Sequence, residues 1–153
     1  RTLFGETNEG VNKKAKALLA AKLTPIICVG GSLAVRDEGS TLDFVCAQVK
    51  AAFAGIDEPD AKNCIVAYEP IWAIGTGRTA TPDQAQEVCA AIRATLAELY
   101  GADIAQAMRV LYGGSMNEGN VEGLLAMEDI DGGLIGGAAL KAESFIALIK
   151  ACL

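Results

Sequence analysis

The feature that most narrows the fold is an alternation between two hydrophobic periods. Apolar runs at Thr24–Gly30 (TPIICVG), Cys64–Glu69 (CIVAYE), Arg109–Gly114 (RVLYGG) and Asp131–Gly137 (DGGLIGG) are short, show no in–out alternation and end in glycine or a polar group. Strands covered on both faces read this way. Between them lie stretches of helical period. Leu42, Val45, Cys46, Val49 and Phe53 form one apolar stripe, Ala85, Val88, Cys89, Ile92, Leu96 and Leu99 a second, and Phe145, Leu148, Ile149 and Cys152 a third. Thr81-Pro82-Asp83-Gln84 is a helix start, with Thr as N-cap, Pro at the first helical position and Gln closing a capping box. Ser40-Thr41-Leu42-Asp43 is a weaker box. A lysine-rich helix from Asn8 to Ala21, with a narrow stripe of Val11, Ala15, Leu18 and Leu19, precedes the first strand.

The order is therefore a helix followed by four strand–helix units, which right-handed crossovers make into a parallel sheet. The expected fold class is α/β, one domain over residues 1–153. A closed (β/α)8 barrel needs about 250 residues, so four units amount to roughly half of one. The chain has no initiator Met and begins abruptly, which reads as a portion of a longer barrel.

Composition narrows function. The net charge is −6, which argues against duplex nucleic acid or an anionic membrane as partner. A small anion stays possible where backbone donors converge. The five cysteines are widely spaced without a C-x-x-C pair, and there is no histidine. Neither a metal cluster nor a disulfide framework is expected, and reduced thiols suit a cytoplasmic protein.

In a parallel barrel the loops after the strands form the face that carries chemistry. Here those ends supply Gly30-Gly31-Ser32, Glu69, Gly113-Gly114-Ser115 and Gly136-Gly137. Glycine pairs between a strand and a helix either make tight turns or let backbone N–H groups close on an anion. Two such pairs at successive strand ends favour the anion site, to which Ser115 adds a hydroxyl. Glu69 follows four apolar or aromatic residues, so desolvation should raise its pKa and suit it to proton abstraction. A salt-bridged structural role is the alternative. After it, Pro70 stiffens the exit, Ile71, Trp72, Ala73 and Ile74 form an apolar tip, and Gly75-Thr76-Gly77 loosens the far end before Arg78. That is the build of a lid closing over a site, with an ordinary exposed loop as the alternative. Elsewhere, Arg93 is expected to pair with Asp131 or another acid, Glu6 to satisfy buried donors, Cys28 and Cys64 to be core thiols, and Tyr112 to brace the lid.

Together, AYEPIWAIGTG (Ala67–Gly77), LYGGS (Leu111–Ser115), GGLIGGAAL (Gly132–Leu140) and LFGET (Leu3–Thr7) resemble the triosephosphate isomerase family over essentially the whole chain. The resemblance implies a TIM barrel and an isomerase that interconverts dihydroxyacetone phosphate and D-glyceraldehyde 3-phosphate, a glycolytic and gluconeogenic step, without cofactor or metal. It implies Glu69 as the catalytic base, with Gly75, Ser115, Gly136 and Gly137 binding the substrate phosphate. Residues 70–78 would be the closing lid. It also implies an N-terminal half of the barrel as partner, carrying an Asn-x-Lys motif and a His-Ser-Glu-Arg-Arg motif whose last Arg aligns with Arg1, and a homodimer formed through an upstream loop. The substrate-polarising His and Lys are not in this sequence, so the chain alone is expected to be inactive. Gly31 stands where the family usually carries Glu, and Arg78 where Lys is common. Two other readings stay open: a half-barrel that binds phosphate without turnover, and a self-associating fragment that covers its open sheet edges.

Overall fold

A computed structural model describes residues 1–74, 76 and 79–153. The elements in chain order are α1 (Asn8–Ala20), β1 (Ile26–Val29), α2 (Leu33–Asp37), α3 (Thr41–Phe53), α4 (Glu58–Ala61), β2 (Ile65–Tyr68), α5 (Pro82–Tyr100), α6 (Ala102–Ala107), β3 (Arg109–Tyr112), α7 (Val121–Leu125), β4 (Gly132–Gly133) and α8 (Ala142–Lys150). Short 3-10 turns occupy Ile71–Ala73 and Gly137–Leu140. The four strands form one sheet in the order β1-β2-β3-β4, every pair parallel. This is the strand order of a partial (β/α)8 barrel, as the alternation of periods predicts.

Register sorts the side chains into two faces. Cys28, Ala67 and Leu111 stand beside one another in one row, and Val29, Tyr68 and Tyr112 in the next. The row of Val29, Tyr68 and Tyr112, together with Ile27, Val66 and Val110, is almost completely buried, with α3 against β1 and α5 against β2 and β3. The other face is not. Ile26 is 47% exposed, and Cys28 and Leu111 are half-buried. β1 and β3 therefore do alternate, contrary to the reading of strands covered on both faces. The helices cover one side, and the side toward the barrel axis is only partly covered, with Ala67 buried between the half-buried Cys28 and Leu111.

β4 is also shorter than the Asp131–Gly137 expected. Its regular part is two glycines, because no side chains hold the segment flat. The ladder nevertheless continues at both ends: Asp131 N–H donates to the Val110 carbonyl and Leu134 N–H to that of Tyr112, each at 2.9 Å.

The helix signals divide. At Thr81 the capping box forms as expected: Gln84 N–H donates to Thr81 Oγ1 at 3.2 Å and Thr81 N–H to Gln84 Oε1 at 3.1 Å. Thr81→Ala should cost about 1 kcal/mol, read as a lower denaturation midpoint at unchanged m-value. At Ser40 no side-chain cap forms, because its hydroxyl donates back to the Val35 carbonyl at 3.1 Å. α1 is capped by Thr7, whose Oγ1 accepts from Gly10 N–H at 3.0 Å. The apolar stripes fray at their margins: Leu18, Leu42, Leu99, Phe145 and Ile149 are exposed while the stripe centres are buried. Cys152 is exposed too. Among the described residues Glu6 satisfies no buried donor; it pairs with Lys14 at the surface, where a long cation on the next helical turns reaches it first. No helix among the described residues is long and apolar enough to cross a membrane.

Candidate active site

Backbone atoms of three strands fix Glu69. Its N–H donates to the Val29 carbonyl at the tip of β1, at 2.7 Å, and on the other side Gly113 N–H donates to the Tyr68 carbonyl, also at 2.7 Å. Two glycines leave it room. A Cβ on Gly30 would lie 1.8 Å from the Glu69 carbonyl oxygen, and one on Gly113 would lie 2.8 Å from Glu69 Cγ. Gly30 is held in turn by Gln48, a buried amide on α3. Gln48 Oε1 accepts from Gly30 N–H at 2.8 Å and Nε2 donates to the Gly30 carbonyl at 3.2 Å. Sequence reading missed Gln48, whose only signal is a polar residue beside Val49 on an otherwise apolar stripe. Gly113→Ala should therefore push the Glu69 side chain aside and cost about 1–3 kcal/mol of stability, the scale of overpacking. A denaturation midpoint equal to wild type would refute the crowding.

The carboxyl has the environment its sequence position suggests. Burial pushes its pKa above the ordinary carboxylate value, while a hydrogen bond from the Cys28 thiol pulls the other way. Cys28 is thus not a plain core thiol. It lies on the axis-facing row, and burial and then the Glu69 charge push its own pKa up to about 11. Cys64, by contrast, is buried as expected.

Glu69 opens onto a cavity of about 470 Å³ whose walls include Ile74, Ser115, Gly136 and Gly137. A Cβ on Gly136 or Gly137 would meet nothing within 4 Å, so both glycines leave their backbone open to the cavity. Gly137 begins a 3-10 turn there. Ser115 is fixed from both sides: its N–H donates to the Ala73 carbonyl at 3.3 Å, and Asn120 Nδ2 donates to its carbonyl at 2.9 Å. The first bond ties the loop after β3 to the segment behind Glu69.

Within that segment Ala73 N–H donates to the Pro70 carbonyl at 2.8 Å and Ile74 N–H to that of Ile71 at 3.3 Å. Ala73 is buried, while Ile71 and Ile74 are exposed at 53% and 42%. Thr76 Oγ1 donates to the Trp72 carbonyl at 2.8 Å. Gly75, Gly77 and Arg78 lie outside the described residues. Tyr112 packs beneath this region. A Cβ on Gly114 would fall 2.2 Å from its Oη and 2.9 Å from Pro70 Cγ.

At the other end of the sheet Arg93 does pair with Asp131, at 2.7 Å, and with Asp129, at 2.6 Å. It also donates to the carbonyls of Ala105 and Met108. Burial alone would lower its pKa; the bonds to the two carboxylates outweigh that and raise it.

A parallel sheet with a desolvated carboxylate and open glycine backbone at the carboxyl ends of adjacent strands is the arrangement of an α/β protein of the barrel class. The triosephosphate isomerase profile matches residues 1–152. A curated triosephosphate isomerase of Lacticaseibacillus casei (strain BL23) is 58% identical over 148 residues, covering 97% of this chain and 59% of the relative. Those of Acetivibrio thermocellus and Lactococcus lactis subsp. lactis are 53% and 49% identical, each over 98% of this chain and 60% of the relative. The chain belongs to the triosephosphate isomerase family, and it spans about three-fifths of the length of these relatives.

Proposed function

We propose that this chain forms the proton-transfer and phosphate-gripping part of a triose-phosphate isomerase, which interconverts dihydroxyacetone phosphate and D-glyceraldehyde 3-phosphate. The observation that carries the reading is the single cavity bordered by Glu69, Ser115, Gly136 and Gly137. A substrate phosphate seated on the amides of Gly136 and Gly137 and on Ser115 would lay the triose chain toward Glu69. The Glu69 carboxylate would take a proton from one of the two interconverting carbons and return it to the other, through an enediolate. Its raised pKa brings base and substrate closer in proton affinity. Residues 70–78 would act as the lid that keeps water from the enediolate, with Gly75 adding a phosphate contact. Triosephosphate isomerases are themselves the standard example of pKa tuning and lid closure, so those two roles come with the family.

The enediolate also needs a group to polarise the substrate carbonyl. The sequence has no histidine, so the His that the resemblance implies, with its Lys, would come from outside residues 1–153. We place the active form in a complete barrel, a cytoplasmic glycolytic homodimer, and expect the chain by itself to be inactive. The test is isomerase turnover of the protein carrying its upstream residues, wild type against Glu69→Gln. Undiminished turnover in the variant would remove Glu69 from the mechanism.

A further inference from the structure

One contact joins the segment behind Glu69 to the helix after β1. Arg36 Cζ stands 5.1 Å from the centroid of the Trp72 ring, within the range where a cation is attracted to an aromatic face. Trp72 is the middle residue of the 3-10 turn Ile71–Ala73, and Arg36 lies in α2, whose first turn Ser32 Oγ caps by accepting from Val35 N–H at 3.4 Å. The Arg36 charge also reaches Tyr68: burial pushes that phenol up to about 12, and Arg36 pulls the other way. The guanidinium thus lies over the turn beyond Glu69. No ion pair ties Arg36 to a carboxylate among the described residues. The loop leading into α2 carries no competing side chain at Gly31, where a Cβ would lie 3.1 Å from Val35 Cγ1.

We propose that Arg36 is a positioning residue: its guanidinium over the Trp72 indole holds the Pro70–Ile74 segment in its resting place beside the cavity. Pro70 and Ala73 are buried and Trp72 packs partly against the core, while Ile71 and Ile74 are exposed, so the contact adds to burial where the segment is only half covered. Among the described residues its main-chain anchors are the Ser115 N–H bond to Ala73, the Thr76 hydroxyl bond to the Trp72 carbonyl and the two bonds within the turn. The consequence for turnover rests on the proposed role of Glu69; the test does not.

The test is peptide-resolved hydrogen exchange on the protein as it is naturally made. Arg36→Met should speed exchange of the Ala73 and Ile74 amides about two- to fivefold, the scale of a partly exposed cation–π contact. Exchange across Ile65–Tyr68 should not change. Arg36→Lys keeps a cation within reach of the ring and should recover most of the protection. Identical exchange in Arg36→Met and wild type would overturn the proposal. So would a parallel rise in both peptides, which signals general destabilisation, or a Lys variant that behaves like Met. Glu69→Gln separates this result from the proposed function, since it bears on turnover and leaves the Arg36–Trp72 contact in place.

Discussion

In the complete barrel proposed above, Glu69→Gln is expected to lower isomerase turnover by about 10²–10⁴-fold, the range of a positioned general base, in a protein that stays folded. Gln keeps the shape of the side chain and removes the proton acceptor. Stability should move slightly the other way. The folded-state pKa of Glu69 is raised by burial, so the folded form binds its proton more tightly than the unfolded chain. Its ionisation therefore costs stability as pH rises from the unfolded carboxylate value, about 4.3, through the folded one, and below that window the cost vanishes. The variant should match wild type in thermal midpoint under acid and equal or exceed it at neutral pH. The same shift sets the activity profile: kcat/KM should fall on acidification through an apparent pKa above the ordinary carboxylate value. A profile breaking at or below that value would remove desolvation from the account, and a variant with wild-type turnover would remove Glu69 itself.

Arg93→Met is expected to cost about 3 kcal/mol of stability, the lower end of the range for breaking a buried ion pair. The lower end applies because Arg93 is 6% exposed in its side chain while Asp131 is 33% exposed and can recover some water. For a domain of this size that is a fall of about 6–12 °C in thermal midpoint. The loss is large because the guanidinium serves five acceptors at once, the Asp129 carbonyl among them. It bonds Asp129 and Asp131 in the β4 approach, and the Ala105 and Met108 carbonyls at the end of α6. Asp131 is committed elsewhere as well, accepting from Val110 N–H at 2.7 Å, so the register of β3 depends on the same carboxylate. Turnover per folded molecule should not change, since this network sits at the opposite end of the sheet from Glu69. A loss below about 1 kcal/mol would mean the network is as weak as an exposed pair.

The fold was legible because its signals are local. Strand existence, parallel order and the Thr81 capping box all follow from short runs of residues. Glu69 was legible for the same reason: an acid after Val66, Ala67 and Tyr68 has nowhere to go but a strand tip. The misread parts depend on what lies across space. Leu42 and Ile149 fit their helical stripes, yet both are exposed. Cys28 looks like a core residue in sequence, but register turns it toward the barrel axis and Glu69. Gln48 looks like a fault in an apolar stripe, and only the folded chain brings it against Gly30, 18 residues away. Arg36 and Trp72 are distant in sequence and meet only because β1 and β2 are neighbours.

The way Glu69 is seated has a consequence for tolerance to change. Its place is set by the carbonyls of Val29 and Tyr68 and by the lack of side chains at Gly30 and Gly113. Identities on the outer surfaces of α3 and α5 do not enter. Those surfaces can be rewritten for solubility, labelling or attachment to a support without moving the carboxylate, provided Gln48 is kept. A single added methyl at either glycine is the smaller chemical change and the larger geometric one.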